Sequence, residues 1–563
     1  MKLKFNCLLF CLFFVGNLAA QSRSFGTLPM AKKSNAAIVG APITGTPEYE
    51  KALAIYNRLV AARGDYRFPV PDFKLTDDVA QVASMDYGKL EIVLEKKAYE
   101  VCASFGDNAD AAIAFLLGHE LTHYYEKHAW RSGFVSEFKG LDIGKKLDLE
   151  KDTMLIDDIA HETEADYLGG FLAYSAGYGL FDKGGEVIKK LYVAYDMVKE
   201  DPLTGYPSLA DRQALSARTA QNLESLIQVF DMANLLTVIG NYSDAYEYYR
   251  YVLMQYQSRE IYNNLGVTAI LDAMQYFKES ELKYRYPVEL DLTSSASKGS
   301  SGAGSVRNNL LRQAILHFDA AISLDPDYAP AYLNKACAYA LLDDTERARW
   351  YAEKEARAAI ERSKQDSKRG QQYPKTATDV DVLLGILEAR AGNTEAAKKI
   401  LKAAAEKGSD VASTNLKIIN GEPLGEEKTT TSSLGGSLRA KIESIDGKTI
   451  DDIANELPYD PEKDVEISPR IKFHQKAKMD PNSKVFIHHK GNKFTTFHLT
   501  GPGYSGESAR GVKVGADTTT VRLAYGTPKT IETPLGQIWI YKSIILIFNR
   551  SCKVERWITY KED

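Results

Sequence analysis

The segment Leu117-Gly118-His119-Glu120-Leu121-Thr122-His123 constrains this chain more than any other. It lies in an apolar run that opens after Asp107 or Asn108, either of which offers an N-cap, and the pattern predicts one helix reaching about Trp130. Histidines at i and i+4 lie about 40° apart around a helix, so both imidazoles can meet one tetrahedral metal. Glu120 follows the first of them and can stand beside a metal-activated water as general base.

A catalytic centre of this kind needs a third protein ligand and an open fourth position. A metzincin would need Gly at 126 and His at 129; the chain has Glu126 and Ala129. His128 lies about 180° around the helix from His119 and reads as a capping or core-facing histidine. The next acidic cluster, His161-Glu162-Thr163-Glu164-Ala165-Asp166, falls in a second predicted helix near 155–178. Glu162 and Asp166 share a face at i and i+4, whereas Glu164 points to the opposite side. One of these carboxylates can bind the metal while the other orients a ligand histidine. Helices over 47–63 and 185–200 and a strand or hairpin within 88–106 complete a first block, residues 46–220.

A repeat follows over 221–424. Ala314, Phe318, Ala321 and Pro326 fit one tetratricopeptide-like unit, and Tyr332, Ala336, Tyr339 and Ala348 the next, with Ala314 and Ala348 lying 34 positions apart. Leu384, Gly385, Ala397, Leu401 and Ala404 make a third unit, and Gly240, Tyr242, Ala245, Leu265 and Gly266 suggest two degenerate ones. A Ser/Gly-rich insert at 292–305 interrupts the array, and a linker is expected at 425–437. Beyond it, short alternating runs such as 484–487, 494–497, 536–541 and 544–548 indicate a β-rich domain, 438–563. Ile442 to Ile450 weakly resembles the second half of a PDZ domain. His488 and His489, beside Lys490, are expected in solvent.

The N-terminus carries Lys2 and Lys4, an apolar stretch from Cys7 to Val15, and small residues before Gln21. That predicts an export signal over 1–20, too short to span a bilayer, followed by a leader over 21–45. No later stretch is apolar enough for a membrane span, so the mature chain is expected to have no transmembrane segment. Seventy basic and 75 acidic residues leave no polybasic footprint, which argues against nucleic acid as a partner. Cys102, Cys337 and Cys552 are scattered and odd in number, giving neither a disulfide framework nor a metal spacing, and read as buried small hydrophobes.

His119-Glu120-Leu121-Thr122-His123 followed by Glu162-Thr163-Glu164-Ala165-Asp166 resembles the HExxH…ExxAD signature of the M48 gluzincin metallopeptidases. The resemblance covers about residues 46–220. It implies one Zn2+ per chain held by His119, His123 and Glu162, Glu120 as catalytic base, and Asp166 supporting a ligand. The family's His-Pro-x-x-x-x-Arg is matched by Tyr206-Pro207-Ser208-Leu209-Ala210-Asp211-Arg212, with Tyr in place of His. In relatives that carry repeats that His can plug the open zinc position. A phenol at 206 can hydrogen-bond a developing oxyanion or simply pack at the surface.

The layout of signal, protease domain and repeats is similar to the periplasmic, BepA-type branch. The expected fold is multidomain: a mainly α gluzincin protease domain with a small β-sheet, an α-solenoid of repeats, and a β-rich C-terminal domain. The expected activity is zinc-dependent hydrolysis of protein or peptide substrates, in the periplasm or after secretion. Substrate is expected along an edge strand near Leu90–Glu95, with the repeats recruiting substrates and envelope proteins. The competing reading is a latent or inactive protease serving as a repeat-based adaptor or chaperone.

Overall fold

The computed structural model describes residues 42–79, 81–126, 151–179, 183–196, 209–278, 280–288, 303–365, 373–423, 443–445, 447–456, 464–480, 483–501, 503–533, 536–549 and 551–562. The expected signal, nearly all of the leader, His128, Tyr206, most of the 292–305 insert and the 425–437 linker lie outside the described residues.

Strand β1 (Pro42–Ile43) leads to helix α1 (Pro47–Arg63). The Thr46 hydroxyl caps the helix by accepting from the Tyr49 N–H at 3.2 Å, Pro47 presets its first turn, and Gly64 ends it at φ 59°. Its buried face is Ala52, Ile55, Tyr56, Leu59, Val60 and Arg63, the apolar ones at helical spacing. Strands β2 (Asp72–Thr76), β3 (Ala83–Asp86) and β4 (Glu91–Glu95) join β1 in a sheet of order β1-β2-β4-β3. β2 and β4 are parallel, and β3 folds back antiparallel on β4. Residues 91–95 are therefore interior to the sheet, and among the described residues β1 and β3 are its outer strands, contrary to the expectation from sequence. The strand also stops at Glu95, because Ala98, Tyr99 and Cys102 bury one side of helix α2 (Lys96–Ala103) instead.

Helix α3 (Ala109–Glu126) starts after a 3₁₀ turn at Gly106–Asn108 and is buried all round from Ala112 to Tyr125. A helix surrounded on every side is the centre of its domain. Helix α4 (Lys151–Ala173) lies directly against it, while β3, α1 and α2 cover other faces. Helix α5 (Gly184–Ala194) follows, and helix α6 (Leu209–Ile239) runs unbroken past residue 220. Arg212 is on α6.

Helices α7 (Tyr242–Gln255), α8 (Arg259–Met274), α9 (Ala303–Leu324) and α10 (Ala329–Leu341) then pack each on the one before. After α11 (Thr345–Trp350) and α12 (Arg357–Gln365), joined by a π-helical turn, come α13 (Pro374–Arg390), α14 (Thr394–Glu406) and α15 (Asp410–Asn420). Small residues sit where helices cross: a Cβ on Gly266 would lie 2.5 Å from the Phe318 ring, and one on Gly385 2.7 Å from Leu401. Ala314, Ala321, Ala336, Ala348, Ala397 and Ala404 have no exposed surface.

The helices from α8 onward are fastened to the first block through Arg259 and a backbone hydrogen bond. Arg259, 1% exposed, pairs with the equally buried Asp325, donates to the Ala61 carbonyl at 3.0 Å, and lies over the Tyr66 and Tyr328 rings. The Tyr66 N–H donates to the Leu324 carbonyl at 2.7 Å.

A short ribbon, β5 (Ser444–Ile445) with β6 (Lys448–Thr449), precedes helix α16 (Ile450–Glu456). The chain then forms strands β7 (Val465–Ser468), β8 (Ile471–Asp480), β9 (Ser483–Lys490), β10 (Lys493–Thr500), β11 (Lys529–Thr533), β12 (Gly536–Ile540), β13 (Ile544–Asn549) and β14 (Val554–Glu562). Helix α17 (Thr518–Tyr525) lies between β10 and β11. The eight strands make one antiparallel sheet, β11-β12-β13-β14-β10-β9-β8-β7. The chain is thus mainly helical with a separate β-sheet towards its C-terminal end. Alternation places Phe473 and His488 towards Tyr248 of α7, and Val485 and Ile487 towards Ile453 of α16.

His488 and His489 are buried rather than solvated, at 2% and 8% exposure. His488 meets Asp244 at 2.9 Å, and His489 meets Asp464 at 3.4 Å. Cys102 and Cys337 are buried as expected, but Cys552 is exposed, in a turn at φ 55°. No helix of the described residues is long and apolar enough to cross a membrane.

Candidate metal centre

Two helices build the site. On α3, His119 and His123 are one turn apart and project to the same side, 3% and 1% exposed. On α4, Glu162 and Asp166 have the same spacing and face α3. The Nε2 atoms of the two histidines lie 3.0 Å apart. Glu162 brings Oε2 to 3.5 Å from Nε2 of His119 and Oε1 to 3.4 Å from Nε2 of His123. Among the described residues these three form the one group of His, Cys, Asp or Glu able to hold a metal ion, with ligand atoms all within 4.8 Å of one another.

The donor set fits a small tetrahedral cation. Ligand atoms about 2.0–2.1 Å from a tetrahedral ion are separated from each other by about 3.3 Å, and the separations here are 3.0 to 3.5 Å. Asp166 Oδ1 lies 2.8 Å from Nδ1 of His119. A carboxylate there keeps the ring proton on Nδ1 and leaves the Nε2 lone pair aimed at the centre of the group. Asp166 therefore stands behind His119 rather than among the three candidate ligand atoms.

The electrostatics favour a positive charge at the same place. Burial pushes the His119 imidazolium down, but hydrogen bonding to Asp166 and Glu162 outweighs it, and the pKa is pushed up to about 10. Burial likewise acts to raise Glu162, yet its contacts with His119 and His123 hold it well below the usual carboxylate range. The two carboxylates thus favour positive charge at the His119 ring.

Glu120 stands apart from this network. It has no exposed surface, and neither carboxylate oxygen makes a hydrogen bond of normal geometry. Burial raises its pKa to about 8, opposed by the charge on His119 and by the backbone at Met85, and reinforced by Glu162. A buried acid without partners is costly and uncommon. Its place one residue after a ligand histidine and beside edge strand β3 is where a proton-transfer group would stand.

Five of the seven site residues expected from sequence, His119, Glu120, His123, Glu162 and Asp166, are brought together. Tyr206 lies outside the described residues, and Arg212 is placed only as a position on α6. Sequence reasoning passed over Tyr87, in the β3–β4 turn, whose hydroxyl donates to the His123 carbonyl at 2.8 Å and ties that turn to the ligand helix. Nothing in its local pattern marks a contact across 36 positions. Compared with known proteins, the chain matches no family model and no curated protein.

Proposed function

We propose that this chain is an exported zinc endopeptidase of the M48 gluzincin type, with His119, His123 and Glu162 holding the ion and Glu120 serving as base. The observation that carries this reading is the set of three ligand atoms at tetrahedral spacing, with the fully buried acid Glu120 adjoining His119 in the chain. Bound zinc supplies Lewis acidity, polarising a carbonyl oxygen and making water easier to deprotonate. Glu120 takes the proton of the attacking water and delivers it to the leaving amine nitrogen. A pKa raised toward neutrality suits both halves of that transfer. Asp166 holds the His119 ring in its ligating orientation.

The substrate strand belongs on β3 rather than β4, since β3 is an outer strand of the sheet among the described residues and lies against α3. Helices α7 to α15 are read as a tetratricopeptide-like array. The small residues at their crossings and the 34-residue spacing of Ala314 and Ala348 support that reading. Such an array would recruit protein substrates, unassembled envelope proteins among them, to a periplasmic enzyme.

A second reading is a latent protease working mainly as an adaptor. It is favoured by the depth of the site, where Glu120 is fully buried and the Glu162 side chain is 13% exposed.

The deciding experiment measures zinc content and casein cleavage for the wild-type chain and for Glu120→Gln. One zinc per chain in both, with cleavage in the wild type only, supports the peptidase. Zinc in both and cleavage in neither supports the latent reading. Folded wild-type protein that takes up no zinc overturns the peptidase and leaves the adaptor reading.

A further inference from the structure

Glycine is among the poorest helix formers, so a buried helical glycine calls for a reason. Gly118 of α3 and Gly169 of α4 meet face to face. A Cβ on Gly169 would lie 2.6 Å from the His119 backbone nitrogen and 2.7 Å from the Gly118 carbonyl carbon; one on Gly118 would lie 2.7 Å from the Gly169 carbonyl oxygen. These obstacles are backbone atoms of rigid helices, and no rotamer change relieves them.

The crossing is also where the ligands are. Gly118 adjoins His119. On α4, Glu162, Asp166 and Gly169 are related by steps of four and three, so all three share the side that faces α3. The separation of the two helix axes at this point sets how far Glu162 and Asp166 reach toward His119. Metal sites tolerate errors in ligand distance of only about 0.2 Å, whereas accommodating one Cβ here means parting the backbones by more than that.

We infer that the Gly118–Gly169 contact is a positioning element of the metal centre, holding α3 and α4 at the separation that lets ligands from both helices close on one ion. The inference rests on the metal reading of the site but not on peptide cleavage. Gly170 supplies an internal comparison. A Cβ there would come within 2.5 Å of Leu223 Cδ2, an equally tight overlap, but with the end of a flexible side chain on α6. Alanine at 170 perturbs packing without moving α4 relative to α3.

The test uses the full chain, stripped of metal, with Gly169→Ala, Gly118→Ala and Gly170→Ala. Zinc affinity is read by competition with a chromophoric chelator, coordination by the visible spectrum of the cobalt-loaded protein, and folding by circular dichroism. Folded Gly169→Ala binds zinc about tenfold or more weakly, the scale seen when supports of metal ligands are lost, and its cobalt spectrum changes, while Gly170→Ala matches the wild type. Wild-type affinity and spectrum in Gly169→Ala overturn the inference. If Gly169→Ala does not fold, Gly118→Ala is read against the same outcomes. If neither folds while Gly170→Ala does, the contact serves the fold alone and the inference is overturned. A folded wild-type chain that binds neither metal removes the metal reading itself, and the inference with it.

Discussion

Lys490 donates to Asp244 at 2.6 Å although 246 positions of chain separate them. His488 lies 2.9 Å from the other oxygen of the same carboxylate, and its second ring nitrogen is 3.1 Å from the Tyr248 hydroxyl. Glu224 with Lys484 at 3.2 Å and Asp231 with Arg556 at 4.0 Å continue the row. The helices present the acids and the C-terminal sheet the bases. The sheet is thereby keyed to α6 and α7 by charge as well as by the apolar contact of Tyr248 with Phe473.

This attachment is expected to weaken in acid. Burial acts to raise the Asp244 pKa, but hydrogen bonds to His488 and Lys490 prevail and bring it down to about 2. A carboxyl whose folded pKa lies below its unfolded value of about 3.9 stabilises the fold fully above that value, and the contribution is lost as pH falls through the folded pKa. Asp244→Asn is expected to be less stable than the wild type by about 2 kcal/mol at pH 7, with the gap closing between about pH 5 and 2. Urea unfolding followed by fluorescence checks this, because Trp539 and Trp557 are buried in the sheet. A gap that is constant with pH contradicts the assignment.

Arg259 tests the buried ion pair that lies beside the joint between the helices and the first block. Removing one member of a buried ion pair leaves the other uncompensated, at a cost of about 3–5 kcal/mol. Arg259→Ala is expected to lower stability by that amount, with Asp325 left buried. The double change Arg259→Met with Asp325→Leu is expected to recover part of the loss. Denaturant midpoints for the two variants give the comparison, and equal midpoints would count against a charge-based penalty.

Asp166→Ala separates ligand support from ligation. Without the carboxylate 2.8 Å from Nδ1, the His119 ring loses its fixed orientation but not its Nε2 lone pair. Zinc affinity is expected to fall about 10–100-fold, while Glu162→Ala, which removes a donor, is expected to lose more. Chelator competition on the two proteins ranks them; the reverse order would assign ligation to Asp166.

Metal binding should also appear in stability. A ligand that binds the folded chain alone raises stability in proportion to the logarithm of its excess over Kd, about 2.7 kcal/mol at a hundredfold excess. Adding zinc to chelator-stripped protein is expected to raise the thermal midpoint, with the rise abolished in His123→Ala. A midpoint unchanged by zinc in the wild type would contradict a site on the folded chain.

The site was largely legible in the sequence because helical geometry is local. Spacings of four residues fix a shared face for His119 with His123 and for Glu162 with Asp166 whatever the rest of the chain does. Helix α1 was legible for the same reason, over 47–63. Strand order was not legible, because an edge is defined by which strand lacks a neighbour. Residues 91–95 lost that status when Ala83–Asp86 folded back on them. Nor did the burial of His488 and His489 show in their surroundings, since Asp244 and Asp464 supply their partners from 244 and 25 positions away. The glycine crossing lay in plain view at Gly118 and Gly169, but its meaning depends on two helices that only the fold brings together.

Glu120 has one further consequence. A buried carboxyl group without hydrogen-bond partners works against the fold by about 1–3 kcal/mol, and an apolar residue of similar volume would relieve that burden. Glu120→Met in the metal-free chain should therefore outlast the native protein in heat and denaturant. Stability and proton transfer thus make opposite demands on this one position.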